Sequence, residues 1–139
     1  MIKPFTSEWA SAMHKAINAN AAYKEAAAKW TWPVALVVDA DPARGYPAAV
    51  AVELELDRGT CRAATLVAPD QVTADFVLRA SLDTWRALNV GALDALTAVS
   101  SGKVRLTGSM MTLIMHAKAA KALVACARDV PTQFPEVAP

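Results

Sequence analysis

The stretch Ala48-Ala49-Val50-Ala51-Val52-Glu53-Leu54-Glu55-Leu56-Asp57-Arg58-Gly59-Thr60 decides the fold class. Val50, Val52, Leu54 and Leu56 alternate with Ala51, Glu53, Glu55 and Asp57. That period of two predicts an antiparallel strand with one buried face and one solvated face. Asp57-Arg58-Gly59-Thr60 turns the chain tightly, and residues 61–67 return as the second arm of a hairpin. Upstream, residues 31–39 are rich in valine and leucine and are closed by the turn Asp41-Pro42-Ala43-Arg44-Gly45. Downstream, Ala74, Phe76, Leu78 and Ala80 alternate with Asp75, Val77 and Arg79. Val104 and Leu106 likewise alternate with Lys103, Arg105 and Thr107. Five strands are predicted.

Helical periodicity surrounds them. Thr6 and Ser7 offer hydroxyl caps to a first helix with Trp9, Ala12, Met13, Ala16 and Ile17 on one side. A second helix over residues 20–29 carries Tyr23, Ala26 and Ala27 and points Trp30 the same way. Ser81 or Asp83 caps a short helix bearing Trp85 and Leu88, ended by Gly91, and residues 92–99 form another before Gly102. Ser109 then caps one long terminal helix to about Arg128, and Pro131 and Pro135 make residues 129–139 a non-helical tail. The expectation is a single α+β domain over residues 1–139, a five-stranded, mainly antiparallel sheet covered on one face by helices.

Composition excludes several classes of function. Hydrophobic residues make up 55% of the 139 and charged residues 19%, against about 45–50% and about 25% in a typical globular domain. A disordered chain is excluded. Fourteen basic and thirteen acidic side chains leave a formal charge of +1, so nucleic acid, which needs a concentrated cationic face, is not an expected partner. Apolar runs such as residues 33–38 are far shorter than the roughly 18 residues of a membrane span. The opening Met1-Ile2-Lys3-Pro4-Phe5 lacks the apolar core of a signal peptide. A cytoplasmic protein is expected, with Cys61 and Cys126 as buried free thiols.

No constellation for chemistry stands out. His14 and His116 have no Cys, Asp or Glu at metal-ligand spacing, so neither metal nor cofactor is expected. Glu53 and Glu55 share the polar face of their strand with Asp57 and read as solvated. Ser100-Ser101-Gly102-Lys103 lacks the first glycine of a phosphate loop and leads into a strand. Cys126 lies late in a helix, away from the helix N-terminus that activates a thiolate. The unusual feature is apolar. Met110, Leu113, Ile114, Ala117, Ala120, Val124 and Ala127 share one face of the terminal helix, with Met111 and Met115 in a second row beside it. Such a helix is either sandwiched in the core, with methionine filling gaps, or it lines a cavity.

The order of elements, together with Ser101-Gly102-Lys103-Val104-Arg105-Leu106-Thr107-Gly108-Ser109 entering the last helix, resembles the sterol carrier protein type 2 (SCP2) domain family. Ala74-Asp75-Phe76-Val77-Leu78 followed by Ser81, Thr84-Trp85 and Gly91 resembles the same family's fourth strand and next helix. The resemblance spans roughly residues 9–128, with Ser109 in place of the usual aspartate. It implies an apolar tunnel between sheet and helices that binds and moves fatty acids, fatty acyl-CoA or sterol-like lipids without catalysis. Phe76, Leu78, Trp85, Leu88, Met110, Met111, Ile114 and Met115 would line that tunnel. Lys103, Arg105, Lys118 and Lys121 are candidates to meet a lipid head group. Val137-Ala138-Pro139 is not a peroxisomal targeting tripeptide, which fits a stand-alone bacterial protein.

Two other classes stay open. One is a small α+β isomerase or hydrolase using a buried Asp75 as base, for which a carboxylate with raised pKa in a closed pocket would be the mark. The other is an accessory or dimerisation domain, with a homodimer or an enzyme of lipid metabolism as partner and an exposed apolar patch as its mark.

Overall fold

The computed structural model describes residues 1–136. The expected tail therefore lies in part outside the described residues, as does the tripeptide 137–139. From Asp129 to Glu136 the chain is non-helical, and Ile2 pairs with Thr132 in a short parallel bridge that ties together the two ends of the described chain.

Helix α1, Ser7–Ala19, starts where Thr6 Oγ1 accepts the Trp9 N–H at 3.2 Å, and it buries Trp9, Ala10, Met13 and Ile17 along one side. Asn20 ends α1 and caps α2, Ala21–Ala26, by accepting the Tyr23 N–H at 2.8 Å. The sheet order is β3-β2-β1-β4-β5. Strand β1, Val34–Val38, is central and buried at all five positions. A strand covered on both faces has no polar side, which is why it reads as an unbroken apolar run.

Strands β2, Val50–Asp57, and β3, Thr60–Val67, form the expected hairpin. Arg58 and Gly59 both have positive φ, 51° and 88°, the two-residue turn whose twist matches the strands. Gly59 is also needed for space, since a Cβ there would stand 2.6 Å from the Lys24 carbonyl oxygen. Strand β4, Phe76–Ala80, pairs with β1 in parallel, and β5, Arg105–Thr107, pairs with β4 antiparallel, so the sheet is mixed.

Val34, Leu36, Val38, Val52 and Leu54 on one face of the sheet join the cluster containing Trp9, Met13 and Ile17. The helices lie on that side. The opposite face is only partly solvated, which corrects the expectation for Glu53. The chain leaving edge strand β3 must pass β2 to reach β4, and Glu53 holds it by accepting the Thr73 N–H at 2.9 Å and hydroxyl at 3.2 Å. Glu55 remains exposed. On the same outer face Asp39 accepts from Arg79 at 2.8 Å and Arg105 at 2.6 Å. Burial pushes the Asp39 carboxyl up, but these hydrogen bonds and charges outweigh it and hold it below the usual range.

Helix α3, Leu82–Asn89, is capped by Ser81, and Gly91 follows at φ 79°. Helix α4, Ala95–Ser100, begins three residues later than expected because Asp94 is its cap, accepting the Thr97 N–H. The terminal segment departs from the expectation of one long helix. It is α5, Met110–Met115, and α6, Ala117–Arg128, broken at His116 with φ −111° and ψ 36°. The His116 ring stands edge-on to Trp30 and Trp32, with centroids 5.3 and 5.5 Å away. Among the described residues, no helix is long and apolar enough to cross a membrane.

Candidate functional site

The core is divided. A large cluster holds the α1, α2 and β1–β2 side chains with Trp30, Phe76 and Leu113. A small one consists of Ala80, Leu88, Ala98 and Val104, contributed by β4, α3, α4 and the residue before β5. Between them lies a cavity of about 100 Å³. Phe5, Trp9, Met13, Tyr23, Trp30 and Leu36 wall its closed side, all buried. Leu96, Val99, Ala120, Leu123, Val124 and Ala127 wall the other side and are half-buried, so the opening lies between α4 and α6.

The indole part of the wall is apolar because its N–H groups are engaged elsewhere. Three indoles line the void, and each commits its N–H within the protein: Trp9 Nε1 to Thr132 Oγ1 at 3.1 Å, Trp30 Nε1 to the Trp32 carbonyl at 2.7 Å, and Trp85 Nε1 to the Val37 carbonyl at 3.0 Å. Only hydrocarbon faces of these rings are left for a ligand. Phe5 reaches the wall from a left-handed backbone, φ 58°, a conformation that costs a phenylalanine about 1–2 kcal/mol. Its ring stacks on Trp9 at 5.0 Å and meets Trp85 at 5.7 Å, and the Tyr46 hydroxyl donates to the preceding Pro4 carbonyl at 2.7 Å. Burial raises the pKa of Tyr23, with the nearby Cys126 and Cys61 thiols adding to it, so this wall residue stays neutral.

Four of the residues expected on a tunnel wall are brought together there: Phe76, Leu78, Trp85 and Leu88. Met110 is half-buried against the large cluster and is not on the wall. Met111, Ile114 and Met115 are a correction, being 71%, 54% and 75% exposed. With the helix broken at His116, α5 has under two turns, and it turns Leu113 to the void and these three outward. Trp9, Met13, Tyr23 and Trp30 were legible as core positions from helical spacing, but nothing in the spacing marked them as cavity wall. Phe5 gave no periodic signal at all.

The charged candidates are likewise redistributed. Asp75 is exposed, and no charged side chain is buried among the described residues, which removes the basis for a buried aspartate base. Among the described residues no group of three or more His, Cys, Asp or Glu could hold a metal ion. Burial pushes the Cys61 and Cys126 thiols up to about 11, so both stay protonated at neutral pH. Arg105 is engaged by Asp39, and Lys121 Nζ lies 3.9 Å from Asp94 at the start of α4. Arg128, two turns further along α6, donates to the Leu88 carbonyl at 3.0 Å and the Asn89 carbonyl at 3.1 Å. These two contacts bracket the opening and fasten the small cluster's helices to α6.

Comparison with known proteins identifies the family and the fold. The model of the SCP-2 sterol transfer family matches residues 12–121. A crystal structure of sterol carrier protein 2 is 40% identical and superposes with a TM-score of 0.87, covering 92% of this chain and 99% of that one. A Thermus thermophilus protein described as possibly a sterol carrier protein is 38% identical, with a TM-score of 0.86 over 99% of this chain and 96% of that one. Sterol carrier protein 2 of Yarrowia lipolytica, in its apo form, shares the fold at 17% identity and a TM-score of 0.59, covering 93% and 97% of the two chains. Among curated proteins none matches significantly.

Proposed function

The chain belongs to the SCP-2 sterol transfer family, and on that premise we propose that it acts as one domain that binds a lipid hydrocarbon chain between its two core clusters and carries it through the aqueous cytoplasm. A fatty acid or fatty acyl-CoA is the ligand the cavity suits best. The observation that carries this is the wall itself, in which the three indoles turn only carbon toward the void. Those indole faces offer hydrophobic transfer and no directional bond, and so accept chains of differing length.

Magnitudes bear on the choice. Burying a chain of about 14 methylenes at about 0.8 kcal/mol each gains roughly 11 kcal/mol. Association costs of some 4–15 kcal/mol bring the net into the range of weak to micromolar or better binding. A void of about 100 Å³ is smaller than the roughly 300–1,000 Å³ of a typical ligand site. Entry of a chain therefore pushes the half-buried α4 side outward. A slender flexible chain asks less of that movement than a rigid ring system. The head group stays at the opening, within reach of Lys121 and Arg128.

The test combines native mass spectrometry of freshly purified protein, lipid extraction, and titration with a fluorescent fatty acid. Co-purified acyl chains and saturable uptake are expected. Ala120→Phe, which fills the opening from α6, should weaken uptake at least tenfold while the protein remains folded. A protein that is empty as isolated and ignores the probe would sink the proposal.

A further inference from the structure

Apart from the indoles, two polar side chains line the cavity, Tyr23 and Asn89. Asn89 ends α3 and is half-buried. Tyr23 is different. It sits on the closed side of the void and is 1% exposed. Its N–H is taken by Asn20 Oδ1 and its carbonyl by the Ala27 N–H, both at 2.8 Å, so α2 holds the ring in place. The Tyr23 hydroxyl has no hydrogen-bond partner among the described residues, whereas the other buried tyrosine, Tyr46, donates to the Pro4 carbonyl at 2.7 Å. Arg44 Nε is the one side-chain N or O atom among those residues that is both unpartnered and closed off from all open space. The Tyr23 oxygen therefore still touches open space, and the space that Tyr23 lines is the cavity.

A buried hydroxyl without a partner is destabilising, and phenylalanine would fill the same volume without that cost. A single water does not resolve this well. A buried water holds its place through about two to four polar partners. Here it would meet the phenol and the nearby Cys61 and Cys126 thiols, which bond weakly. Cys61 Sγ is moreover engaged by the Ala63 carbonyl at 3.3 Å. The partner that fits is brought by the ligand. We propose, resting on the reading that this cavity takes a lipid chain, that Tyr23 selects a chain with a hydroxyl at its far end. The carboxyl end stays at the opening between α4 and α6, and the end that enters first reaches the closed side. Burial keeps Tyr23 protonated, so its phenol both donates to and accepts from the ligand hydroxyl. The ligand class is then an ω-hydroxy fatty acid.

Displacement of a fluorescent fatty acid from the full chain tests this, with hexadecanoic acid, its ω-hydroxy and α-hydroxy forms, and cholesterol as competitors. Tyr23→Phe should shift the preference between the ω-hydroxy and the plain acid at least fivefold toward the plain acid, since one neutral hydrogen bond is worth about that factor. The α-hydroxy acid keeps its hydroxyl beside the carboxyl at the opening, so its preference should not move. Thermal melts give a second readout. Tyr23→Phe should melt no lower than the parent, whereas Tyr46→Phe, which loses a bond to Pro4, should melt lower. An unmoved ω-hydroxy preference, an equal shift for the α-hydroxy acid, or a lowered melting temperature in Tyr23→Phe would each overturn the assignment. So would displacement by cholesterol that alone depends on Tyr23, since the hydroxyl would then belong to a ring system. If no acid displaces the probe from the parent, the chain reading itself fails and this assignment falls with it. Displacement by hexadecanoic acid with an unmoved preference fails Tyr23 alone.

Discussion

The two core clusters on either side of the cavity are built differently. The large one draws on residues from Phe5 to Val130, and in it Trp30 and Trp32 lie within 6 Å of each other and of both Phe76 and His116 by ring centroid. The small one has four fully buried members, and two are alanines. Its helices α3 and α4 span eight and six residues. Small side chains bury little area, so few dispersion contacts hold this wall in place. Two polar fastenings to α6, from Lys121 and Arg128, take over part of that role. The difference predicts which wall moves, with one side of the void as a scaffold and the other as a flap held by a few bonds.

The contrast is most sharply tested at Trp30. Trp30→Ala removes the ring at the centre of the aromatic group, and a loss of about 3–5 kcal/mol in denaturant unfolding is expected. A loss below about 1 kcal/mol would mean that the large cluster is no scaffold. Arg128→Ala comes next. It removes the Arg128 donors from the Leu88 and Asn89 carbonyls at the end of α3, and because the site is at the surface a loss of about 1 kcal/mol is expected. Release of a bound fluorescent fatty acid, followed by stopped flow, should quicken severalfold. Unchanged release would remove Arg128 as a fastening of the flap.

The smallest effect belongs to Met111→Trp. An exposed side chain away from the cavity should leave stability within about 0.5 kcal/mol and leave chain uptake unaltered. Reduced uptake with retained stability would bring Met111 back to the cavity wall and overturn the reading of α5 as an outer face.

Residue patterns revealed the sheet more fully than the cavity. The β2–β3 hairpin was legible because alternation and a glycine turn are local properties of the chain. The parallel pairing of β1 with β4 was not, since it depends on where a distant segment lands. Phe76, Leu78, Trp85 and Leu88 were recoverable from the family resemblance, which carried their strand and helix as a unit. The methionine row failed for a physical reason. A continuous helix would have kept Met111 and Met115 in register with the buried face of α6, and the break at His116, set among tryptophans far away in sequence, rotated them out. Periodicity cannot register a break imposed by tertiary packing. The Glu53 contact was hidden similarly, because an acidic residue on a strand reads as solvated until a passing loop supplies its donors.

Of the four tryptophans in the chain, three wall the void, and Trp32 stands 5.0 Å behind Trp30. Any molecule that enters lies against those three rings and alters the polarity they sense. Their emission wavelength and yield should therefore shift together as the site fills, giving an optical record of occupancy from the unlabelled protein. The two buried tyrosines, Tyr23 and Tyr46, stay protonated through neutral pH, burial pushing Tyr46 up to about 12, and so add no ionisation signal of their own. The same rings that exclude water from the wall make its contents visible.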